Sequence, residues 1–149
     1  MIEKEKPRVL FLCVANSCRS QMAEGIVRNM MGDEVDAYSA GAQPTTVNNF
    51  ALEVLEEKGF DVSLHRSKSV EEFRGHEFDL IVTVCGEGEY SCPAWLDKGK
   101  KIHVPYPDPA AATGTREEVL NVFRGVRDSM IKKLLVEVVK NLKAVGAMK

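Results

Sequence analysis

An apolar run, Val9-Leu10-Phe11-Leu12, passes through a short polar loop directly into a segment with Met22, Ala23, Ile26, Val27 and Met30 on one helical face. The first reads as a buried strand over residues 7–12 and the second as a helix over residues 20–31, stopped by Gly32. A strand feeding a helix through so few residues commits the chain to an α/β arrangement, because each apolar face must be buried against another element. It also sets the loop, Cys13-Val14-Ala15-Asn16-Ser17-Cys18-Arg19-Ser20, at a helix N-terminus. There, unpaired backbone N–H groups converge and the helix dipole favours negative charge.

The alternation continues along the chain. Residues 34–40 read as a second strand closed by Gly41, and residues 47–58 as a helix with Phe50, Ala51, Val54 and Leu55 on one face, ended at Gly59. Residues 61–63 are a short extended piece, and Ser69 with Glu72 has capping-box spacing for a short helix ending near Gly75. Residues 78–84 are almost continuously apolar, as in a strand buried on both faces. Residues 101–104 form the fourth strand. A long last helix opens on a second capping-box pair, Thr115 and Glu118. It holds Val119, Phe123, Val126, Met130, Leu134, Val138 and Leu142 in a stripe up to Gly146. The expected fold is α/β, one domain over residues 1–149, with a four-stranded parallel sheet and helices on both faces. Such sheets bind ligands at the carboxyl ends of their strands, and Cys13, Cys85 and Asp108 each follow a predicted strand.

The formal net charge of −2 gives no sign of a polyanionic partner, so no nucleic-acid role is expected. The first seven residues are charged and lack a signal peptide's apolar core, and no apolar run approaches a membrane span. The expectation is a cytoplasmic monomer. In that setting four cysteines point to chemistry or metal before a disulfide framework.

Cys13 with Arg19 is the first candidate constellation. An unperturbed cysteine is about 3% thiolate at pH 7, and lowering its pKa by about two units requires about 2.7 kcal/mol from the surroundings. Aimed loop amides and one guanidinium can supply it, while the same groups, from Val14, Ala15, Asn16, Ser17, Cys18, Arg19 and Ser20, cradle a tetrahedral oxyanion. The second constellation is Cys85 and Cys92, after the third strand. It admits three readings: a zinc site with Cys13 and Cys18, though the spacings are wide for one; two inert buried thiols; or a redox pair working with Cys13. If residues 85–92 were helical, the two α-carbons would stand about 10 Å apart, beyond the roughly 7 Å a disulfide tolerates. Oxidation would then have to unwind the segment, which Gly86 and Gly88 make easier. Asp108, between Pro107 and Pro109, is held extended and can serve as a general acid beside Cys13.

The stretch from Cys13 to Gly25, the segment from Cys85 to Pro93, and Asp108-Pro109 resemble the low-molecular-weight protein tyrosine phosphatase superfamily, and within it the thioredoxin-coupled arsenate reductases. The resemblance implies a four-stranded parallel sheet and a relay of thiols. Cys13 would attack arsenate held by the loop and Arg19, with Asp108 protonating the leaving oxygen. Cys85 would then release arsenite by forming a Cys13–Cys85 disulfide, and Cys92 would take over that bond as Cys85–Cys92 for thioredoxin to reduce. It implies no metal or organic cofactor. Asn16, Ser20 and Ser39 match positions that orient the loop or nucleophile, and Cys18 reads as loop packing. Some of these reductases hold potassium beside the loop. Here Asn16, Glu24 and Ser39 match ligand positions but Lys68 stands where an acidic residue is expected, so an ammonium would take the cation's place and leave activity insensitive to potassium.

Two other functions remain open. A phosphatase would use Cys13, Arg19 and Asp108 and leave Cys85 and Cys92 idle, although Ala110-Ala111-Ala112 replaces the tyrosines that line the cleft of the phosphotyrosine enzymes. A redox-sensing or oxyanion-binding module without turnover would have no use for Asp108.

Overall fold

The computed structural model describes residues 5–86 and 92–149. Four strands, β1 (Arg8–Cys13), β2 (Asp36–Gly41), β3 (Leu80–Thr83) and β4 (Lys100–His103), form one sheet in the order β2-β1-β3-β4. Every neighbouring pair is parallel. The chain leaves β1 toward β2 on one side and returns to place β3 on the other, so a topological switch lies between β1 and β3, where such sheets bind ligands.

Period-two alternation sorts the strand residues into two layers. Val9, Phe11 and Cys13 of β1, with Leu80 and Val82 of β3, enter the core beneath helices α1 (Arg19–Met31), α2 (Asn49–Glu56), α3 (Arg116–Ser129) and α4 (Leu135–Ala144). Leu10, Leu12 and Ile81 point the other way, into a smaller cluster closed by Val70 and Phe73 of a 3₁₀ turn (Val70–Phe73), Phe78 and Leu96. Helical structure thus covers both faces, but unequally. Among the described residues no helix is long and apolar enough to cross a membrane.

The caps explain where the helices begin. Asn48 Oδ1 accepts from the N–H groups of Phe50 and Ala51 to start α2, and Thr115 with Glu118 closes the expected capping box on α3. The Ser69–Glu72 box does not form. Ser69 caps Glu71 N–H in a single 3₁₀ turn, while the Glu72 carboxylate turns to the Arg66 guanidinium at 2.7 Å. Residues 61–63 form no strand.

The final helix carries a feature the stripe implied. Val126, Met130, Leu134, Val138 and Leu142 are all buried, yet each step of four residues overshoots a 3.6-residue turn by about 40°. Four such steps would carry the stripe about 160° around a regular α-helix. A π-helical turn (Met130–Leu134) between α3 and α4 takes up an extra residue and returns the stripe to the sheet.

Gly41, the last residue of β2, fits the loop closely. A β-carbon built there would lie 2.5 Å from Val14 O and 2.8 Å from Asn16 N, so the loop can pack on the sheet only over a glycine. Gly41→Ala is expected to destabilise the protein by about 1–3 kcal/mol, measured by urea unfolding. An unchanged midpoint would show that the loop yields without cost.

Candidate active site

At the carboxyl end of the sheet a cavity of about 280 Å³ is lined by Cys13, Val14, Ala15, Ser17, Cys18, Arg19, Thr45, Asp108 and Ala110. Its floor is the loop that leaves β1. The carbonyls of Val14, Ala15, Asn16 and Ser17 all have hydrogen-bond partners. Val14 O accepts from Gln43 N–H, Ala15 O from Thr45 N–H and Ser67 Oγ, Asn16 O from Gln21 Nε2, and Ser17 O from Asn48 N–H. Cys18, preceding α1, gives the helix no side-chain cap.

Asn16 holds the loop's shape. It adopts φ +49°, the left-handed region, and is fully buried. Its Oδ1 accepts from Gln21 Nε2 and from Lys68 N–H, each at 2.8 Å, and its Nδ2 donates to Ser20 Oγ at 2.9 Å. The side chain therefore joins the loop, the first turn of α1 and the segment before the 3₁₀ turn.

The Arg19 side chain is buried and donates from one terminal nitrogen to Tyr106 O at 3.0 Å, which aligns it along the cavity wall. Asp108 keeps the extended backbone expected between two prolines, φ −77° and ψ 107°. Its Oδ1 accepts from Ala110 N–H at 3.0 Å, capping the 3₁₀ turn (Pro109–Ala111) and leaving an exposed carboxyl at the cavity mouth.

Cys13 is more deeply buried than the loop chemistry alone implies. Burial pushes its pKa up to about 11 and outweighs the Arg19 guanidinium, which pulls it down; the neighbouring Cys85 adds to the rise and the Val14 N–H opposes it. The expected lowering does not occur, because amides and a cation were counted without the desolvation. Cys18 is also raised to about 11, again by burial first, with a Ser17 hydrogen bond opposing.

The Cys13 and Cys85 thiols are neighbours in the core under α1, close enough for each to affect the other's charge. Cys92 is not with them. It is half-buried and packs on the cluster of the opposite sheet face, as Trp95 and Tyr38 also do. None of the four cysteines forms a disulfide. The helix considered for residues 85–92 lies outside the described residues at 87–91. Among the described residues, no three His, Cys, Asp or Glu side chains gather closely enough to hold a metal, so the zinc reading has no such cluster behind it.

Behind the loop, Lys68 meets Glu24 as anticipated. Lys68 Nζ lies 3.4 Å from Glu24 Oε1, to which Ser39 Oγ donates at 3.0 Å, and Arg28 approaches the other carboxylate oxygen at 3.1 Å. Burial pulls the Lys68 pKa down and Glu24 opposes that. Two residues of this network were not legible as partners: Gln21, and the buried His65, whose Nδ1 is 2.7 Å from Gln21 Oε1. They are 44 positions apart, and neither residue type signals the other.

Two expectations follow from these surroundings. Below its raised pKa, Cys13 should be alkylated by iodoacetamide about tenfold faster for each pH unit between 7 and 9, followed by mass spectrometry; a plateau in that range would show a thiolate already formed at neutrality. With the ammonium of Lys68 on Glu24, the thermal midpoint should be equal in potassium chloride and sodium chloride. A midpoint raised by potassium alone would show that an ion still binds there.

Comparison with known proteins places this geometry in a lineage. The Low molecular weight phosphotyrosine protein phosphatase family matches residues 8–145. An arsenate reductase of Halalkalibacterium halodurans is 43% identical over 129 residues, covering 87% of this chain and 93% of the relative. A solved arsenate reductase in its reduced state superposes with a TM-score of 0.74 at 29% identity, over 90% of this chain and 98% of the other. A thioredoxin-dependent arsenate reductase of Corynebacterium glutamicum gives 0.60 at 25% identity, over 91% of this chain and 65% of the other. With the match running from the first residue of β1 to the end of the last helix, the chain belongs to the low molecular weight phosphotyrosine protein phosphatase family.

Proposed function

We propose that this protein is an arsenate reductase that works through a Cys13–Cys85–Cys92 relay recycled by thioredoxin. The observation that carries the reading is that Cys85 is a close, buried neighbour of Cys13, the thiol that lines the oxyanion cavity. Hydrolysis of a phosphate ester needs no second thiol there. Reduction does. The curated relative named above is an arsenate reductase, and a structural relative is thioredoxin-dependent.

Chemistry follows from the groups in place. Arsenate binds against the loop amides and Arg19. Because Cys13 rests as a thiol, its proton passes to a substrate oxygen as sulfur attacks arsenic. Asp108, at the cavity mouth, supplies a proton to the departing hydroxyl, so the arsenic–oxygen bond breaks to release water as the sulfur–arsenic(V) bond forms. Cys85 sulfur then attacks Cys13 sulfur. The sulfur–arsenic bond breaks with its electron pair staying on arsenic, so arsenic(V) leaves as arsenite while two thiols become the Cys13–Cys85 disulfide. Cys92 next attacks Cys85, regenerating Cys13 and forming Cys85–Cys92, and the dithiol of thioredoxin reduces that bond. Each round consumes one thioredoxin dithiol per arsenate, and no metal or organic cofactor enters.

Cys92→Ser separates the two leading readings. With thioredoxin, thioredoxin reductase and NADPH, the native protein should oxidise NADPH continuously on arsenate, whereas Cys92→Ser should stop after at most one reduction. Absence of arsenate-dependent oxidation, with p-nitrophenyl phosphate hydrolysis surviving the substitution, would make the protein a phosphatase.

A further inference from the structure

Lys101 ends a row of side chains that crosses the whole sheet. Tyr38 of β2, Leu10 of β1, Ile81 of β3 and Lys101 of β4 are register partners in turn, and such partners point to the same face of a parallel sheet. Leu10 and Ile81 belong to the smaller cluster, and Tyr38 and Cys92 pack against it. Lys101 therefore leaves the edge strand on the face where Cys92 is seated, while Ile102, the next residue, packs on the opposite core. Among the described residues, the other charged groups around that cluster are engaged elsewhere. Glu72 pairs with Arg66, and Arg74 pairs with Glu71 and lies over the Trp95 ring, 4.7 Å from its centroid. His76 stands edge-on to Phe73. Burial pushes the Cys92 pKa up, and the charge that opposes the rise is the Lys101 ammonium.

We infer that Lys101 is a positioning residue for the second exchange of the relay, its ammonium favouring the thiolate of Cys92 on the sheet face that the two residues share. The inference rests on the relay proposed above and adds to it the group that readies its third thiol. Cys92 must lose its proton before it attacks, and a thiolate is poorly held among apolar side chains. A cation at the exposed edge of the cluster offsets the cost of ionisation and draws the charged sulfur out of its apolar seat. In the step itself the Cys92 proton passes to solvent and the Cys92 sulfur attacks the Cys85 sulfur. The Cys13–Cys85 bond breaks with its electron pair on Cys13, which takes up a proton. One disulfide replaces another, with no net oxidation.

Lys101 is exposed, so its replacement removes charge and little packing. For the test, reduced full-length protein is mixed with arsenate in the absence of thioredoxin, quenched in acid at intervals, and its disulfides are mapped by mass spectrometry. Lys101→Gln should form Cys13–Cys85 at the native rate but convert it to Cys85–Cys92 about threefold more slowly at pH 7. The factor is modest because a thiolate formed without the cation is more basic and a stronger nucleophile. Lys101→Arg should match the native protein, and the gap should close as rising pH ionises Cys92 in both. Without arsenate, alkylation of Cys92 by iodoacetamide at pH 7 should slow by a similar factor in Lys101→Gln. Equal conversion or equal alkylation, a gap that pH does not change, or a Lys101→Arg as slow as Lys101→Gln would overturn the inference. A native protein that forms no Cys13–Cys85 disulfide on arsenate would bring down the relay instead, while alkylation would still read the coupling of Lys101 to Cys92.

Discussion

A single buried amide, that of Asn16, carries more of this structure than any other polar group. A left-handed backbone in a non-glycine residue is disfavoured, and here it persists because the side chain satisfies three partners from two separate segments, the first turn of α1 and residue 68. The backbone N–H of Lys68 is one of them. It draws the segment before the 3₁₀ turn onto the loop and so brings the Lys68 ammonium to Glu24. Gly41 completes the fit from beneath, since a β-carbon would meet the loop backbone. The strand that ends in Cys13 and the helix that begins at Arg19 thus converge on a cavity whose shape is set from behind, by groups that never reach it.

Two opposing terms set the state of Cys13. The guanidinium and the Val14 amide favour a thiolate, while burial disfavours it more. A resting thiol suits an enzyme whose substrate is itself an anion. A thiolate and a dianion would repel within one low-dielectric cavity, whereas moving the thiol proton onto the oxyanion leaves the total charge unchanged and makes a better leaving group. The same burial restrains oxidation, because susceptibility follows thiolate character and exposure.

The strand and helix order was legible because each strand is a short apolar run bounded by turn residues, and each long helix has an apolar face. The capping box at Thr115 and the extended Asp108 were legible too, being fixed within three residues. The Ser69 box failed for a tertiary reason, as Arg66 offers Glu72 a charged partner better than a backbone N–H. The π-helical turn left its mark in repeated four-residue steps, which tolerant pattern matching absorbs into an ordinary helix. What sequence could not weigh was desolvation, so the direction of the Cys13 shift came out reversed although Arg19 stood where expected. Nor could it reveal the Gln21–His65 bond, which exists only once two distant segments are packed together.

The placement of the cysteines also orders the proposed relay. Cys85 lies beside Cys13 in one core, so the first disulfide forms between neighbours. Cys92 packs on the cluster beyond the sheet and must leave it before reaching Cys85. A disulfide requires α-carbons within about 7 Å and a narrow dihedral range, so this separation opposes a premature Cys85–Cys92 bond that would disarm the enzyme before arsenate arrives. The first bond joins two residues of one core, whereas the second must join Cys85 to a residue that packs on the other cluster. On this account the sheet does more than hold the loop. By dividing the resolving thiols between its two faces, it makes the second exchange depend on the first.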